Sequence, residues 1–149
     1  MIIILDLNGT IATDGKLLPG VKERLEALKK IARIFLVSAD TGGTLKEVAT
    51  ELGVEGVNIA VLKSINEAEA KLKVLEELRK NFPGKKFVAI GNGRNDELLL
   101  KNADLGICVI GDEGAWSGAL ISAKVVVKNI ADAFELLLKE KRLTATVRI

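Results

Sequence analysis

The stretch "IIILDLNGTIATDG", residues 2–15, decides the fold. Four aliphatic residues run into Asp6, and the chain turns at once through Asn8-Gly9-Thr10. A continuous apolar run of this length suits a parallel strand covered on both faces. The carboxylate then stands at the strand's C-terminal end, beside a tight polar loop. A second stretch, "VAIGNGRNDELL", residues 88–99, repeats the arrangement: aliphatic run, glycines, then asparagine and aspartate.

Working outward, further Val, Ile and Leu runs lie at 34–37, 57–62, 87–90, 105–110 and 124–127. Helical patterns separate most of them. "GVKERLEALKKI" follows Pro19 and puts Val21, Leu25 and Leu28 on one stripe, with Ile31 next in phase. "TLKEVATELG" aligns Leu45, Val48 and Leu52 and stops at Gly53. "NEAEAKLKVLEELRKNF" starts at a capping Asn66, carries Leu72, Leu75 and Leu78 in phase, and ends near Pro83-Gly84. "NDELLLKNA" and "NIADAFELLLKEK" complete the set. Alternating strands and helices predict an α/β fold, a three-layer α/β/α sandwich around a mostly parallel sheet, as one domain over residues 1–149. In such sheets the binding crevice lies beyond the strands' carboxyl ends, where Asp6, Ser38 and the 91–96 loop can meet. The "TATVRI" tail fits either a final edge strand or a tether for a partner chain.

Composition narrows the chemistry. The chain has 149 residues, 48% hydrophobic and 28% charged, enough for a soluble domain with a core of its own. A net charge of +2 and 3% aromatic residues, with no Tyr and a single Trp116, argue against a nucleic-acid partner. The absence of histidine removes Ser-His-Asp and Cys-His catalysis and His-ligated zinc. The lone Cys108, in "LGICVI", reads as a small apolar strand residue and fits a reducing compartment. "MIIIL" is too short for a secretory core and no window is long enough to cross a bilayer, so a cytoplasmic protein without membrane contact is expected.

Each polar candidate has two readings. Asp6 caps its turn as an Asx residue, or it is a carboxylate able to attack a phosphoryl group and to ligate Mg²⁺. Ser38 caps the Asp40-Thr41-Gly42 turn, or donates to a phosphoryl oxygen. Lys71, with Lys63, Lys73 and Lys80 nearby, reads first as a solvated helix residue. Asn92 and Asp96 form a turn and helix cap, or a metal-holding pair. Arg94 meets substrate or solvent, and Glu113, in "GDEGAW", reads more readily as a loop carboxylate than as a wall of the crevice.

Taken together, "ILDLNGT", "LVSAD", a lysine early in the third helix and "AIGNGRNDELLLKNADLGICV" resemble the haloacid dehalogenase-like (HAD) superfamily. The similarity runs from Met1 to about Asp132 and is greatest to the phosphorylation domain of P-type ATPases and to soluble P-type ATPase-like phosphatases. The resemblance implies a Rossmann-like HAD sheet and a Mg²⁺-dependent phosphatase. It makes Asp6 the nucleophile that forms an aspartyl phosphate and also binds Mg²⁺, with the Asn8 carbonyl as a further ligand. It assigns phosphoryl or substrate binding to Gly9, Thr10, Ser38, Ala39 and Asn95. Lys71, placed by spacing in preference to Lys73, offsets charge, and Asn92 and Asp96 complete the metal shell directly or through water.

Two departures bear on turnover. Asn8 stands where most HAD phosphatases have the aspartate that protonates the leaving group, help worth typically ~10²–10⁴-fold. Asn92 stands where an aspartate usually contacts the metal, so the site loses a negative charge. Without a general acid, good leaving groups are expected: aryl or acyl phosphates and phosphoanhydrides such as ATP. The alternative is a phosphate- or nucleotide-binding regulatory module that has lost efficient turnover. Only "IATDGKLL", a hairpin-sized flap turning at Asp14-Gly15, follows the first motif, so no cap domain is expected. An open site suits a phosphorylated small molecule or macromolecule, or completion by a neighbouring subunit.

Overall fold

The structure, a computed structural model, describes residues 1–40 and 43–148. Its centre is β1 (Ile2–Asp6), hydrogen-bonded to β4 (Arg33–Ser38) on one side and β6 (Phe87–Gly91) on the other. With β5 (Glu55–Asn58), β7 (Leu105–Val109) and β8 (Val125–Val127) they form a six-stranded sheet in the order β5-β4-β1-β6-β7-β8, every neighbouring pair parallel. The period-2 geometry of β1 divides its side chains between two cores. Ile3 and Leu5 pack with α1 (Val21–Leu28), α2 (Thr44–Leu52) and α6 (Ile130–Leu138), whereas Ile2 and Ile4 pack with α3 (Glu67–Asn81), α4 (Glu97–Asn102) and α5 (Ser117–Ser122). The three layers are those expected, and the all-apolar strand reads as it does because neither face meets water.

The short flap is also as expected. β2 (Ala12–Thr13) pairs antiparallel with β3 (Lys16–Leu17), and Asp14 and Gly15 both take positive φ, the conformation a two-residue hairpin turn demands. No folded insertion follows β1, and the connection from β4 to α3 holds α2, β5 and a 3₁₀ turn at Ile59–Val61.

Three local expectations differ. The run at 57–62 is not one strand: β5 ends at Asn58, whose side chain accepts the Ala60 N–H at 2.9 Å and starts the 3₁₀ turn. Only Ile59 of that turn is buried, while Val61 is 74% exposed. The α1 stripe stops at Leu28, leaving Ile31 outside the core at 53% exposure. The tail forms α7 (Glu140–Val147) rather than an edge strand, because local helical bonds satisfy its backbone and Leu143 packs partly on the α6 side core. The turn expected after Ser38 falls on Thr41 and Gly42, and the tail's last residue is Ile149; these lie outside the described residues.

This division predicts unequal stability. Phe134, completely buried on α6, should cost about 3–5 kcal/mol when cut to alanine, and Leu143→Ala of α7 under about 1.5 kcal/mol. Urea denaturation compares them; equal losses would mean that α7 is an integral part of the core.

Candidate active site

β1, α3 and the loop after β6 each deliver one charged side chain to the same buried point. Asp6 is the last residue of β1, Lys71 lies in the second turn of α3, and Asp96 closes a 3₁₀ turn at Arg94–Asp96 that leads into α4. Lys71 Nζ donates to Asp6 Oδ1 at 2.7 Å and to Asp96 Oδ1 at 2.6 Å. Lys71 is 1% exposed, whereas Lys73 is exposed on the other side of α3. A lysine in the chain's buried phase has a sequence signature: Lys71 precedes the buried Leu75 and Leu78 by four and seven residues. Leu72, placed on that stripe by the sequence, is only partly buried.

Glycines make room for the carboxylates. A Cβ on Gly91 would stand 2.4 Å from Asp96 Cγ, so only glycine at the end of β6 lets Asp96 fold beneath the loop. There Asp96 Oδ2 accepts the N–H groups of Asn92 at 3.0 Å and Gly93 at 2.9 Å. Gly9 has φ +78°, and a Cβ there would meet Glu113 Oε2 at 2.4 Å and Asn92 Nδ2 at 2.8 Å.

The electrostatics follow from one cation serving two anions. Burial, then the charge of Asp96, push the Asp6 carboxyl up from 3.8 to about 6, against the opposing pull of Lys71 and Thr10. Burial also works against the Lys71 ammonium, but the attraction of Asp6 and Asp96 outweighs it and holds its pKa above the ordinary lysine value. The triad therefore carries one surplus negative charge in a dry setting, the condition that a bound cation relieves.

The donors suit a hard cation. Thr10 Oγ1 lies 3.0 Å from Asp6 Oδ2 and 3.3 Å from Asn92 Oδ1, so two oxygens share one hydroxyl proton and retain free lone pairs. Asn92 Nδ2 donates to Gly114 O at 3.2 Å, which turns the amide oxygen toward Thr10. Among the described residues no three His, Cys, Asp or Glu side chains cluster as a metal cage. Mg²⁺, which keeps several waters, needs few protein oxygens, and those present fit it. Asp96 has both oxygens hydrogen-bonded within the protein, Oδ1 by Lys71 and Oδ2 by the Asn92 and Gly93 N–H groups.

The remaining candidates divide. Ser38 is buried at the end of β4, with Ala39 partly buried beside it against the α3 side core. Asn8 is exposed at the loop. The Gly9 N–H donates to Ala12 O at 2.8 Å and the Thr10 N–H to Leu7 O at 3.4 Å, so these backbone groups close the turn and the Thr10 hydroxyl is the donor facing Asp6. Asn95 Nδ2 reaches Glu67 Oε2 at 2.8 Å, toward the outer turn of α3. Glu113, read as a loop carboxylate, is brought against Gly9 and Asn92 by the loop after β7, a proximity no local sequence signal carried. Cys108 is fully buried, and burial raises its thiol pKa, consistent with a packing role.

A family model for haloacid dehalogenase-like hydrolases matches residues 1–104, and the chain belongs to that family. An uncharacterised protein of Methanocaldococcus jannaschii is 69% identical over 83 residues, 56% of this chain and 89% of that one. A soluble P-type ATPase-like phosphatase of the same organism is 28% identical over 132 residues, covering 88% of this chain; the chain spans 46% of that relative's length. Among solved structures, a 3-deoxy-D-manno-octulosonate 8-phosphate phosphatase from Moraxella catarrhalis, in complex with magnesium, phosphate and KDO, superposes with TM-score 0.72 at 16% identity, covering 99% of this chain and 92% of that one. At that identity the likeness concerns the fold.

The raised Asp6 value has a signed consequence for stability. Below about pH 4 both folded and unfolded chains are protonated at Asp6, and the stability this represents is lost as pH rises through about 6. Asp6→Asn, neutral throughout, should therefore stabilise the metal-free protein by roughly 2–3 kcal/mol at pH 8 and by little at pH 4. Urea denaturation in chelator reads this out. A gain independent of pH, or a loss at pH 8, would contradict the triad's surplus charge.

Proposed function

We propose that the chain is a Mg²⁺-dependent phosphatase that works through an aspartyl phosphate on Asp6 and favours substrates with good leaving groups. The observation that carries this is the Lys71 ammonium bridging Asp6 and Asp96 beside the oxygens of Asp6, Asn92 and Thr10. Lys71 on Oδ1 and Thr10 on Oδ2 hold the Asp6 carboxylate in one orientation, which is most of what in-line phosphoryl transfer asks of a protein. Asp6 attacks phosphorus, the bond to the leaving oxygen breaks, and the leaving group departs with the electron pair. Water then attacks the phosphoryl group, the bond to Asp6 breaks, and phosphate leaves. Lys71 and the Thr10 hydroxyl offset charge on the reacting oxygens, and Ser38 binds a phosphoryl oxygen from the neighbouring strand end. Bound Mg²⁺ supplies charge neutralisation between the carboxylates and the phosphoryl group.

The soluble P-type ATPase-like phosphatase among the relatives supports this reading. Among the described residues no cap covers the strand ends, so the site admits a phosphorylated small molecule or a segment of a macromolecule, and a second subunit could complete it. Among the described residues no helix is long and apolar enough to cross a membrane; a cytoplasmic setting is part of the proposal. Asn8 and Asn92 favour a second reading, a phosphate- or nucleotide-binding regulatory module without efficient turnover.

Intact-protein mass spectrometry after brief exposure to Mg²⁺ and acetyl phosphate should show a phosphoryl adduct that Asp6→Asn lacks. Neither adduct nor Asp6-dependent phosphate release would shift the assignment to the binding module. Aryl phosphates should turn over far faster than alkyl phosphates. Asn8→Asp should raise alkyl phosphate hydrolysis toward the ~10²–10⁴-fold that a general acid supplies. Equal rates for both ester types in the wild-type protein would refute the leaving-group account.

A further inference from the structure

The wall beside the triad is built from residues that phosphoryl transfer itself does not use. Glu67 and Lys71 lie four apart on α3, so they share a face one helical turn apart. Lys71 is sealed inside, whereas Glu67 lines an open cavity of about 690 Å³ with Asn66, Arg94, Asn95, Glu97 and Leu98. Arg94 and Asn95 belong to the same 3₁₀ turn as Asp96, so part of the cavity wall is carried by the loop that also bears Asn92 and Asp96.

Arg94 is held in an unusual way. Its guanidinium lies 5.4 Å from the centroid of the Trp116 ring, a cation–π contact. Arg94 has no ion pair or side-chain hydrogen bond among the described residues. Trp116 is itself fixed: its backbone N–H donates to Asn92 O at 2.8 Å and its indole Nε1 to Glu97 Oε2 at 3.0 Å. The chain's single tryptophan, 45% exposed, is thus anchored to the metal-side asparagine and serves as a platform for one cation. The two carboxylates of the cavity are already engaged, Glu97 by Trp116 and Glu67 by Asn95.

We infer that Arg94, steadied by Trp116, is a leaving-group subsite for a second anionic group next to the transferred phosphoryl, which makes phosphoanhydrides the substrate class. The guanidinium edge matches a phosphate oxygen pair and neutralises the charge that develops on a departing phosphate. Asn8, unable to supply a proton, is compatible with that leaving group, because a departing phosphate needs charge stabilisation more than protonation. Glu67 and Glu97, one on either side, disfavour a further distal anion. This inference rests on the phosphatase reading and specifies its substrate.

Calorimetric titration in saturating Mg²⁺ tests it without turnover, using methylenediphosphonate and inorganic phosphate as probes. Wild type should bind methylenediphosphonate more tightly than phosphate by about ten- to a hundredfold, the range for a charge-assisted contact. Arg94→Ala should bring the two affinities within about threefold, Arg94→Lys should retain part of the preference, and Trp116→Phe, which keeps an aromatic face, should retain more than Trp116→Ala. Arg94 is exposed, so its substitution leaves the core intact. An unchanged ratio in Arg94→Ala, or no preference in wild type, overturns the subsite. Acetyl phosphate turnover, abolished by Asp6→Asn, is followed in parallel: its presence with an unchanged ratio overturns the subsite alone, and its absence together with failure to bind either probe overturns the phosphatase reading as well.

Discussion

The ammonium of Lys71 between two buried carboxylates is the interaction on which the rest of the site depends. A lysine at this depth is costly unless its charge is met, and here it is met twice. The pairing draws α3, β1 and the loop after β6 to one point, so helix register and strand register are tied together through side-chain charge as well as apolar packing. It also leaves the site short of one positive charge, a deficit that the proposed Mg²⁺ would offset.

Stability and function pull against each other at Asp6. Burial and the neighbouring Asp96 disfavour its charged form, yet the proposed mechanism needs that charged form as the nucleophile. The surrounding glycines show how the fold accommodates such a group. Gly91 leaves space for the Asp96 carboxylate, and Gly9 admits Glu113 and Asn92 against the turn. A larger residue at either position would have to move one of the groups that define the pocket.

Substrate choice lies in a different layer from the chemistry. In the proposed mechanism the triad and the Thr10 and Asn92 oxygens handle a phosphoryl group whatever it is attached to. Discrimination would then fall to the outer wall, where α3 contributes Glu67, the 3₁₀ turn contributes Arg94 and the loop after β7 contributes Trp116. Because no cap covers the strand ends among the described residues, these rim residues are the ones the proposal gives to a leaving group. Asn92 joins the layers, with its amide oxygen at Thr10 and its backbone carbonyl at Trp116.

The layers of the fold and the gathering of Asp6, Ser38 and the 91–96 loop at one edge were legible in the sequence, because buried parallel strands write themselves as unbroken apolar runs; the central place of β1 was not. Spacing alone favoured Lys71 over Lys73, and the structure adds that Lys71 is the one in phase with the buried Leu75 and Leu78. Length and pattern misled at 57–62 and in the tail, where a short apolar run or a β-branched cluster fits helix, turn and strand alike. Only the tertiary structure decided that Glu113 abuts Gly9, that Asp96 spends both oxygens inside the protein, and that Arg94 lies on Trp116. Periodicity records which face of an element is buried, but not which loop from a distant part of the chain comes to rest against it. That is settled by packing, and the charge and hydrogen-bonding partners of the site follow from it.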